Sequence, residues 1–315
     1  IDPNGGVKME VARKKKKSEA LAYLTPALVT ISILTIAPII FTIIISFTDY
    51  SLYSKGNINF VGLENFTSVL TGNLRPIFLP VFAWTIIFAV TSTAGCFLVG
   101  LFLALLVENP NIKERAIYKA ILILPWALPV TIAILSFQGL LNGSYGQINT
   151  LLLNLHIIKK PIMWLTDPTM ARFALIMVNI WLGFPYMMNI CIGAINAIPT
   201  EYYEAADVDG ASKLVQFFKI TLPSIAQTAW PLIISSFAFN FNNFGSAYLI
   251  TNGNPARTTT QFAGYTDILA SVNYKLITVS GKYSTASAIS ILIFILLAAI
   301  TFFQLKKSGQ FSEVN

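Results

Sequence analysis

Six apolar runs, each long enough to cross a bilayer and free of charge at mid-depth, constrain this 315-residue chain more than any other feature. A spanning helix needs about 20 apolar residues, because 1.5 Å of rise per residue must cover about 30 Å of hydrocarbon. The runs are Ala20 to Phe47, Val81 to Val107, Ala116 to Leu140, Thr169 to Ala194, Pro223 to Ile250 and Tyr283 to Phe303. No water satisfies the backbone inside hydrocarbon, so each run must close its own hydrogen bonds as a helix. The expected fold class is all-α: a polytopic membrane protein with six transmembrane helices in one domain over residues 20–307. Composition agrees, with 55% apolar and 11% charged residues, against roughly 45–50% and 25% in soluble domains.

Basic residues orient the bundle. With both termini in the cytoplasm, the inner segments hold 13 of the 21 Lys and Arg residues, chiefly through Arg13-Lys-Lys-Lys-Lys17 ahead of the first run, as retention of cations on the inner side requires. The net charge of +7 is thus an orientation signal. A basic stretch beside a spanning helix rests on anionic head groups, and no nucleic-acid partner is expected. Residues 9–19 form a basic cytoplasmic N-terminus and 308–315 a cytoplasmic tail, while residues 1–8, ahead of Met9, are expected to be an expression remnant. The first run is too long for the apolar core of a signal peptide, about 7–15 residues. Cys96 and Cys191 lie inside runs as small hydrophobes. His156 stands alone in an outer segment, so no metal site is expected.

Catalytic motifs are absent. Gly95 and Gly100 have the spacing of a phosphate loop, but Leu101 and Phe102 stand where Lys and Ser or Thr would grip phosphate and Mg²⁺. Neither G-x-S-x-G nor H-E-x-x-H occurs, and the chain is not expected to be an enzyme. Ion-driven carriers generally keep carboxylates, His or Lys at mid-membrane despite an insertion cost of about 2.5–3.5 kcal/mol each. This chain keeps none there; Lys119 and Arg172 lie near run ends, where they are expected to snorkel. A transporter built this way takes its energy from outside the chain.

The point of entry is a polar interruption with Glu201, Glu204, Asp207 and Asp209. Pro199 suits the first position of a helix, with Thr200 as a possible cap. Ala205 and Ala206 permit close approach of another backbone. Gly210 can adopt positive φ and turn the chain, after which Ala211 to Thr221 is expected to form a second helix ending before Pro223. Helix, hinge and helix together make a coupling element. The pattern Glu204-Ala205-Ala206, Gly210, Ile220-Thr221-Leu222-Pro223, that is E-A-A-x3-G-x9-I-x-L-P, resembles the cytoplasmic loop by which permease subunits of bacterial ATP-binding-cassette (ABC) importers grip their ATPase. The resemblance assigns Glu204, Ala205, Ala206, Asp207 and Gly210 to that contact.

Depth singles out a second group. Runs three to five carry Pro125, Trp126 and Pro129, then Asn179, Gly183, Pro185 and Tyr186, then Asn240, Asn242 and Asn243 near mid-membrane. Prolines at that depth are expected to break helices around a cavity. Asn179, Gly183 and Tyr186 share one helix face, as do Asn240 and Asn243. Amides pair with sugar hydroxyls and flat aromatic faces suit the apolar face of a pyranose, so a neutral polyhydroxy ligand fits. The bland alternative makes the amides cross-links between helices, worth about 0.6–2 kcal/mol each in membranes.

The segments Asn179 to Tyr186, Ser236 to Phe244, Leu249 to Pro255 and Gly264 to Leu269 resemble the MalF-type permease subunits of maltose and maltodextrin importers, over Met9 to about Lys307. This implies the type I, MetI-like permease fold and a multi-pass location in the bacterial plasma membrane. It implies a pocket lined by Asn179, Leu182, Gly183, Tyr186, Phe239, Asn240 and Asn243. Related permeases have Tyr and Ser where this chain has Trp126 and Val130, which trades hydroxyls for an apolar platform. The implied partners are a second six-helix permease, an ABC ATPase dimer and a lipid-anchored extracellular sugar-binding protein, besides oligosaccharide and membrane lipid. No cofactor is expected in this chain, since ATP and Mg²⁺ bind the ATPase. The first outer loop, Thr48 to Pro80, lacks room for the large folded domain that enterobacterial relatives carry there. Competing readings are another cargo, such as a galacto-oligosaccharide or raffinose-type sugar, an ion-coupled carrier, and a non-transporting scaffold.

Overall fold

The computed structural model describes residues 22–307 apart from Lys55, Pro110 and Gln261. The basic run Arg13 to Lys17, the start of the first apolar run and the C-terminal tail lie outside the described residues. Helix α1 (Ala22–Ser46), a short outer helix α2 (Glu64–Leu70) and α3 (Arg75–Val107) come first. The third run is divided into α4 (Arg115–Leu122), the single turn α5 (Leu124–Ala127) and α6 (Val130–Leu140). Helix α7 (Gln147–Asn154) precedes the long α8 (Pro168–Asn196). The polar interruption forms α9 (Thr200–Val208) and α10 (Lys213–Gln216), and the fifth run forms α11 (Leu222–Phe241) and α12 (Phe244–Thr251). Helices α13 (Leu269–Thr278) and α14 (Tyr283–Lys307) complete an architecture with no strand among the described residues.

Four helices, Ala22–Ser46, Arg75–Val107, Pro168–Asn196 and Tyr283–Gln304, are long and apolar enough to cross a membrane unbroken. Runs three and five are each interrupted, run three at Pro129 as the mid-depth prolines lead one to expect and run five at Asn242, where no proline stands. Leu128 is extended (φ −77°, ψ 143°) ahead of Pro129, since the proline ring disfavours the helical region for its predecessor. The fifth run stops at Asn242 and restarts behind Asn243, whose side chain accepts from Ser246 N at 3.3 Å as an N-cap. Pro185, by contrast, sits inside α8 without ending it.

The loop also departs from its expected boundaries. Pro199 is the N-cap residue and Thr200 begins α9, with no side-chain cap bond. Helix α10 starts at Lys213 behind a Ser212 cap and does not stop before Pro223. A π-turn over Phe217–Thr221, in which Leu222 N–H reaches the Phe217 carbonyl, carries the helix past the proline. The wider turn accommodates a residue that has no N–H to give.

The seam between α3 and α8 organises everything else. Its α3 side is small and buried: Ala89, Ser92, Thr93, Cys96, Gly100 and Ala104. A Cβ on Gly100 would lie 2.6 Å from Met188 N, one on Gly95 2.2 Å from Ile180 Cδ1, and one on Gly183 2.6 Å from Cys96 Sγ. The phosphate-loop-like glycines are therefore packing residues, of the kind that lets membrane helices approach closely. Three apolar clusters surround the seam. One joins α3 to α13 and α14 through Val81, Leu269, Leu276 and Ile289. A second joins α3 and α8 to α6 and α12 through Phe88, Leu175, Ile134 and Ile250. The third brings α11 onto α3 and α8 through Leu101, Met188 and Ile225. Helix α1 leans on α14 and buries only Ser46.

The two nominal snorkelling cations are held by protein instead. Lys119 pairs with Glu108. Arg172 donates to the Tyr265 carbonyl at 2.9 Å and lies 4.5 Å from the centroid of Trp84, because segment 252–268 folds back over α8.

Gly100→Leu is expected to destabilise the chain by about 1–3 kcal/mol or more, since the clash is with backbone and cannot relax. Gly193→Ala, on the same helix pair but with open space at its Cβ, should be neutral or stabilising by up to about 1 kcal/mol. Thermal unfolding of the purified variants checks both; equal behaviour would remove the seam from its central place.

Candidate functional site

Both broken helices meet the α3–α8 pair at one cavity of about 390 Å³. All nine residues expected at a sugar site, Trp126, Val130, Asn179, Leu182, Gly183, Tyr186, Phe239, Asn240 and Asn243, line it. Asn242 is exposed and stands outside the lining. Four further lining residues, Cys96, Ser235, Ser236 and Ser246, were not anticipated. The serines flank the amides in sequence, so their small polar character was a usable signal. Cys96 comes from α3, which no sequence pattern pairs with α8.

The floor of the cavity is a closed amide network. Asn179 Nδ2 donates to Asn240 Oδ1 at 2.8 Å, and Asn179 Oδ1 accepts from Asn243 Nδ2 at 2.9 Å and Ser246 Oγ at 3.1 Å. Asn240 Nδ2 donates in turn to Thr93 Oγ1 at 3.0 Å and Ser236 Oγ at 3.4 Å. Asn240 and Asn243 therefore do not share one continuous helix face; they stand on either side of the break and converge on Asn179. The bonds connect α3, α8, α11 and α12, and Asn179 and Asn240 are both 4% exposed. In this structure the amides do cross-link helices, the alternative weighed from the sequence, because a buried amide left unpaired costs about 1–3 kcal/mol. They line the cavity at the same time.

The rim is aromatic and open. Trp126 and Tyr186 stand with ring centroids 6.3 Å apart and planes tilted by 46°. Phe239 is 70% exposed, Trp126 56% and Val130 55%. One wall of the cavity is thus missing from this chain.

The loop that follows the C-terminal end of α8 is internally braced. Gly210 adopts φ 75° as required by the turn. Glu204 and Ala205 face outward, and Ala206 is half-buried. Asp207 points back into the loop, where it accepts from Lys213 Nζ at 3.0 Å and from Gln216 Nε2. Tyr203 and Thr221 share a hydroxyl bond of 2.8 Å. Exposed Tyr202, Val208 and Leu214 give the loop tip an apolar surface. No group of three or more His, Cys, Asp or Glu able to hold a metal occurs among the described residues.

The remaining segments that carried the MalF-type resemblance have structural work. Asp267 is fully buried and accepts from Gly264 N, Ser271 Oγ and Lys275 Nζ, each at 2.7 Å. A Cβ on Gly253 would lie 2.2 Å from the same carboxylate. Residues 249–255 and 264–269 interlock above α12 and do not line the cavity.

Broken helices around a polar cavity, followed by a helix-turn-helix loop, belong to a membrane subunit of the ABC-transporter class, as the family match shows. The chain belongs to the binding-protein-dependent transport system inner membrane component family, whose model matches residues 96–307. It is 46% identical over 252 residues to the maltose/maltodextrin transport system permease protein MalF of Salmonella typhimurium, and 46% identical over 251 residues to MalF of Escherichia coli K12. Each alignment covers 78% of this chain and 48% of the relative, so the chain spans about half the length of the curated relatives it matches. Among solved structures, a chain of a bacterial ABC transporter involved in the import of the acidic polysaccharide alginate shares the fold, with TM-score 0.78 and 22% identity over 96% of this chain and 99% of that one. A chain of a bacterial alginate ABC transporter in complex with an alginate pentasaccharide-bound periplasmic protein gives TM-score 0.77 and 22% identity over 94% of this chain and 96% of that one.

Asn179→Leu should strand Asn243 Nδ2, Ser246 Oγ and Asn240 Oδ1 and cost about 1–3 kcal/mol for each group that finds no water. The Asn179→Leu/Asn243→Leu double variant should cost less than the sum of the singles, because the two share a bond. A thermal-unfolding cycle measures this; strict additivity would mean the network carries no coupling.

Proposed function

We propose that this chain is the permease subunit of an ATP-driven, binding-protein-dependent ABC importer of maltodextrin-like oligosaccharides. The observation that carries the reading is the cavity, with its amide floor and aromatic rim, formed where two broken helices meet the α3–α8 pair. Family membership and the similarity to MalF proteins support the cargo class. In the proposed topology the chain crosses the bacterial plasma membrane six times with cytoplasmic termini. Segments α4 to α6 and α11 to α12 complete the third and fifth crossings, since irregular backbone at membrane depth is tolerated where it lines a cavity.

On this proposal the cavity and the loop act together in transport. An oligosaccharide released by an extracellular binding protein lays pyranose faces on Trp126, Tyr186 and Phe239. Its hydroxyls then take over donors and acceptors that Asn179, Asn240 and Asn243 otherwise spend on each other, so little hydrogen bonding is lost on entry. The open rim is closed by a second six-helix permease, in a pseudo-two-fold heterodimer. The loop, acting as a lever, seats Glu204, Ala205 and its apolar tip in a cleft of the ATPase, which binds ATP and Mg²⁺ and performs the hydrolysis. The Asp207 brace keeps the lever stiff, so that motion of the ATPase reaches α8 and α11.

Glu204→Lys and Gly210→Leu, the latter at a backbone cost of about 1–2 kcal/mol, should abolish uptake while the partner's sugar binding persists; normal uptake at wild-type abundance would refute the lever. Hydrogen bonds from Lys213 first, and then Gln216, hold the Asp207 carboxyl below its usual range. A lowered pKa keeps the brace intact above the ordinary carboxylate range, and it is lost only as pH falls through the lowered value. Coupling should therefore stay flat between about pH 5 and 8 as far as Asp207 decides it. Trp126→Ala should reduce initial uptake of long maltodextrins at least as much as that of maltose, because every pyranose offers an apolar face. A maltooligosaccharide length series tests it, and unchanged uptake at every length would move the sugar path elsewhere.

A further inference from the structure

A second cavity, of about 320 Å³, lies between the first outer loop, α2 and the start of α14. Its wall contains one carboxylate, Asp49, and one ammonium, Lys282, with Asn65, Ser68, Asn73 and Thr285 among the neutral groups. Lys282 is exposed and has no ion pair among the described residues, and the Ser68, Asn73 and Thr285 side chains form no hydrogen bonds there. Asp49 is held by Asn59, whose backbone N–H and Nδ2 each donate to it at 2.8 Å. Each of its oxygens keeps a lone pair for a further donor. The first of those bonds, reinforced by the second, lowers the Asp49 pKa, so it faces the cavity as an anion.

Depth identifies the ligand. Asp49 follows the last residue of α1 by three positions, Asn73 precedes α3 by two, and Lys282 directly precedes α14. The cavity sits at the ends of three membrane-length helices, the level of phospholipid head groups. Tyr50 and Tyr283 stack beside it at 5.3 Å, in the position of interfacial aromatic anchors. Exposed Leu52 and Ile58 lie in the same loop and offer apolar surface to an acyl chain. A phosphodiester needs a cation and neutral donors, which Lys282, Asn73 and Thr285 supply. An anionic glycerol head group would meet repulsion at Asp49, whereas a primary ammonium two carbons from the phosphate would be welcomed there.

We propose that this cavity holds the phosphoethanolamine head group of a zwitterionic membrane phospholipid, with its phosphate at Lys282 and its ammonium at Asp49. The lipid would pin the first outer loop to the head of α14, where Ser284 N already bonds the Tyr50 carbonyl at 3.0 Å. The site is separate from the translocation cavity and stands whatever sugar that cavity carries.

The test is native mass spectrometry of the full chain after exchange from nanodiscs holding equal parts of phosphatidylethanolamine, phosphatidylglycerol and phosphatidylcholine. The wild type should retain phosphatidylethanolamine several-fold over the other two. Lys282→Gln should abolish retention of all three, and Asp49→Asn should remove the preference over phosphatidylglycerol while retention persists. Lys282 is exposed, so its variant keeps the fold; thermal unfolding of both variants in one lipid controls for damage. Equal retention of the three lipids by the wild type, or a preference unchanged in both variants, would overturn the proposal. Displacement of the lipid by soluble glycerophosphoethanolamine at matched concentration would identify a free phosphoester as the ligand and overturn the membrane source. Displacement by maltose would overturn a head-group site altogether.

Discussion

Close approach of α3 and α8 is the constraint on which the rest of the structure depends. In a membrane the hydrophobic effect does not drive helices together, because lipid is as apolar as their side chains; dispersion contacts and interhelical hydrogen bonds must do it. Gly95, Gly100 and Gly183 leave no room for a Cβ at the seam. That proximity brings Cys96 against the Asn179 carbonyl and into the wall of the cavity. The interrupted helices need such a rigid backing, since at Leu128, Pro129 and Asn242 they surrender the backbone bonds that would hold them straight.

The amide network shows how a polar cavity can exist in an apolar chain without a standing penalty. Thr93, Asn179, Asn240, Asn243 and Ser246 satisfy one another across four helices. In the proposed function a hydroxyl-rich ligand offers the same chemistry in exchange, whereas an apolar molecule cannot. On that proposal, stability of the empty subunit and selection of cargo rest on the same side chains. The exposed Trp126, Val130 and Phe239 complete the logic, because an apolar rim beside a polar floor gains from burial only when a partner or a sugar covers it.

In the proposed function, coupling is a matter of stiffness. Helix α9 has no buried residue, and an unbraced surface helix would dissipate any push delivered to it. The Asp207, Lys213 and Gln216 cluster ties it to α10 across the Gly210 turn, the Tyr203–Thr221 bond ties it to the π-turn at Phe217–Thr221, and that turn joins α10 to α11 without a break at Pro223. From Lys213 to Asn240 the chain is then continuous helix.

Much of this protein was legible in the residues alone. Length and apolarity located the four unbroken helices able to cross a membrane, because hydrocarbon admits few alternatives to a helix. The E-A-A-x3-G spacing located the turn between α9 and α10, because a positive-φ residue leaves a local mark. The lining of the cavity was readable as well, since amides and aromatics at mid-depth are rare enough to stand out. Tertiary structure alone decided what those groups do: that Asn179 is the hub between Asn240 and Asn243, that Asp207 faces Gln216, and that Arg172 stacks on Trp84 instead of reaching for head groups. It also decided that Pro129 and Asn242 interrupt their helices while Pro185 and Pro223 do not. Periodicity along one helix records which face is polar, but the partner of each polar group comes from a helix tens of residues away. Only packing determines which carbonyls a neighbour or a widened turn can satisfy.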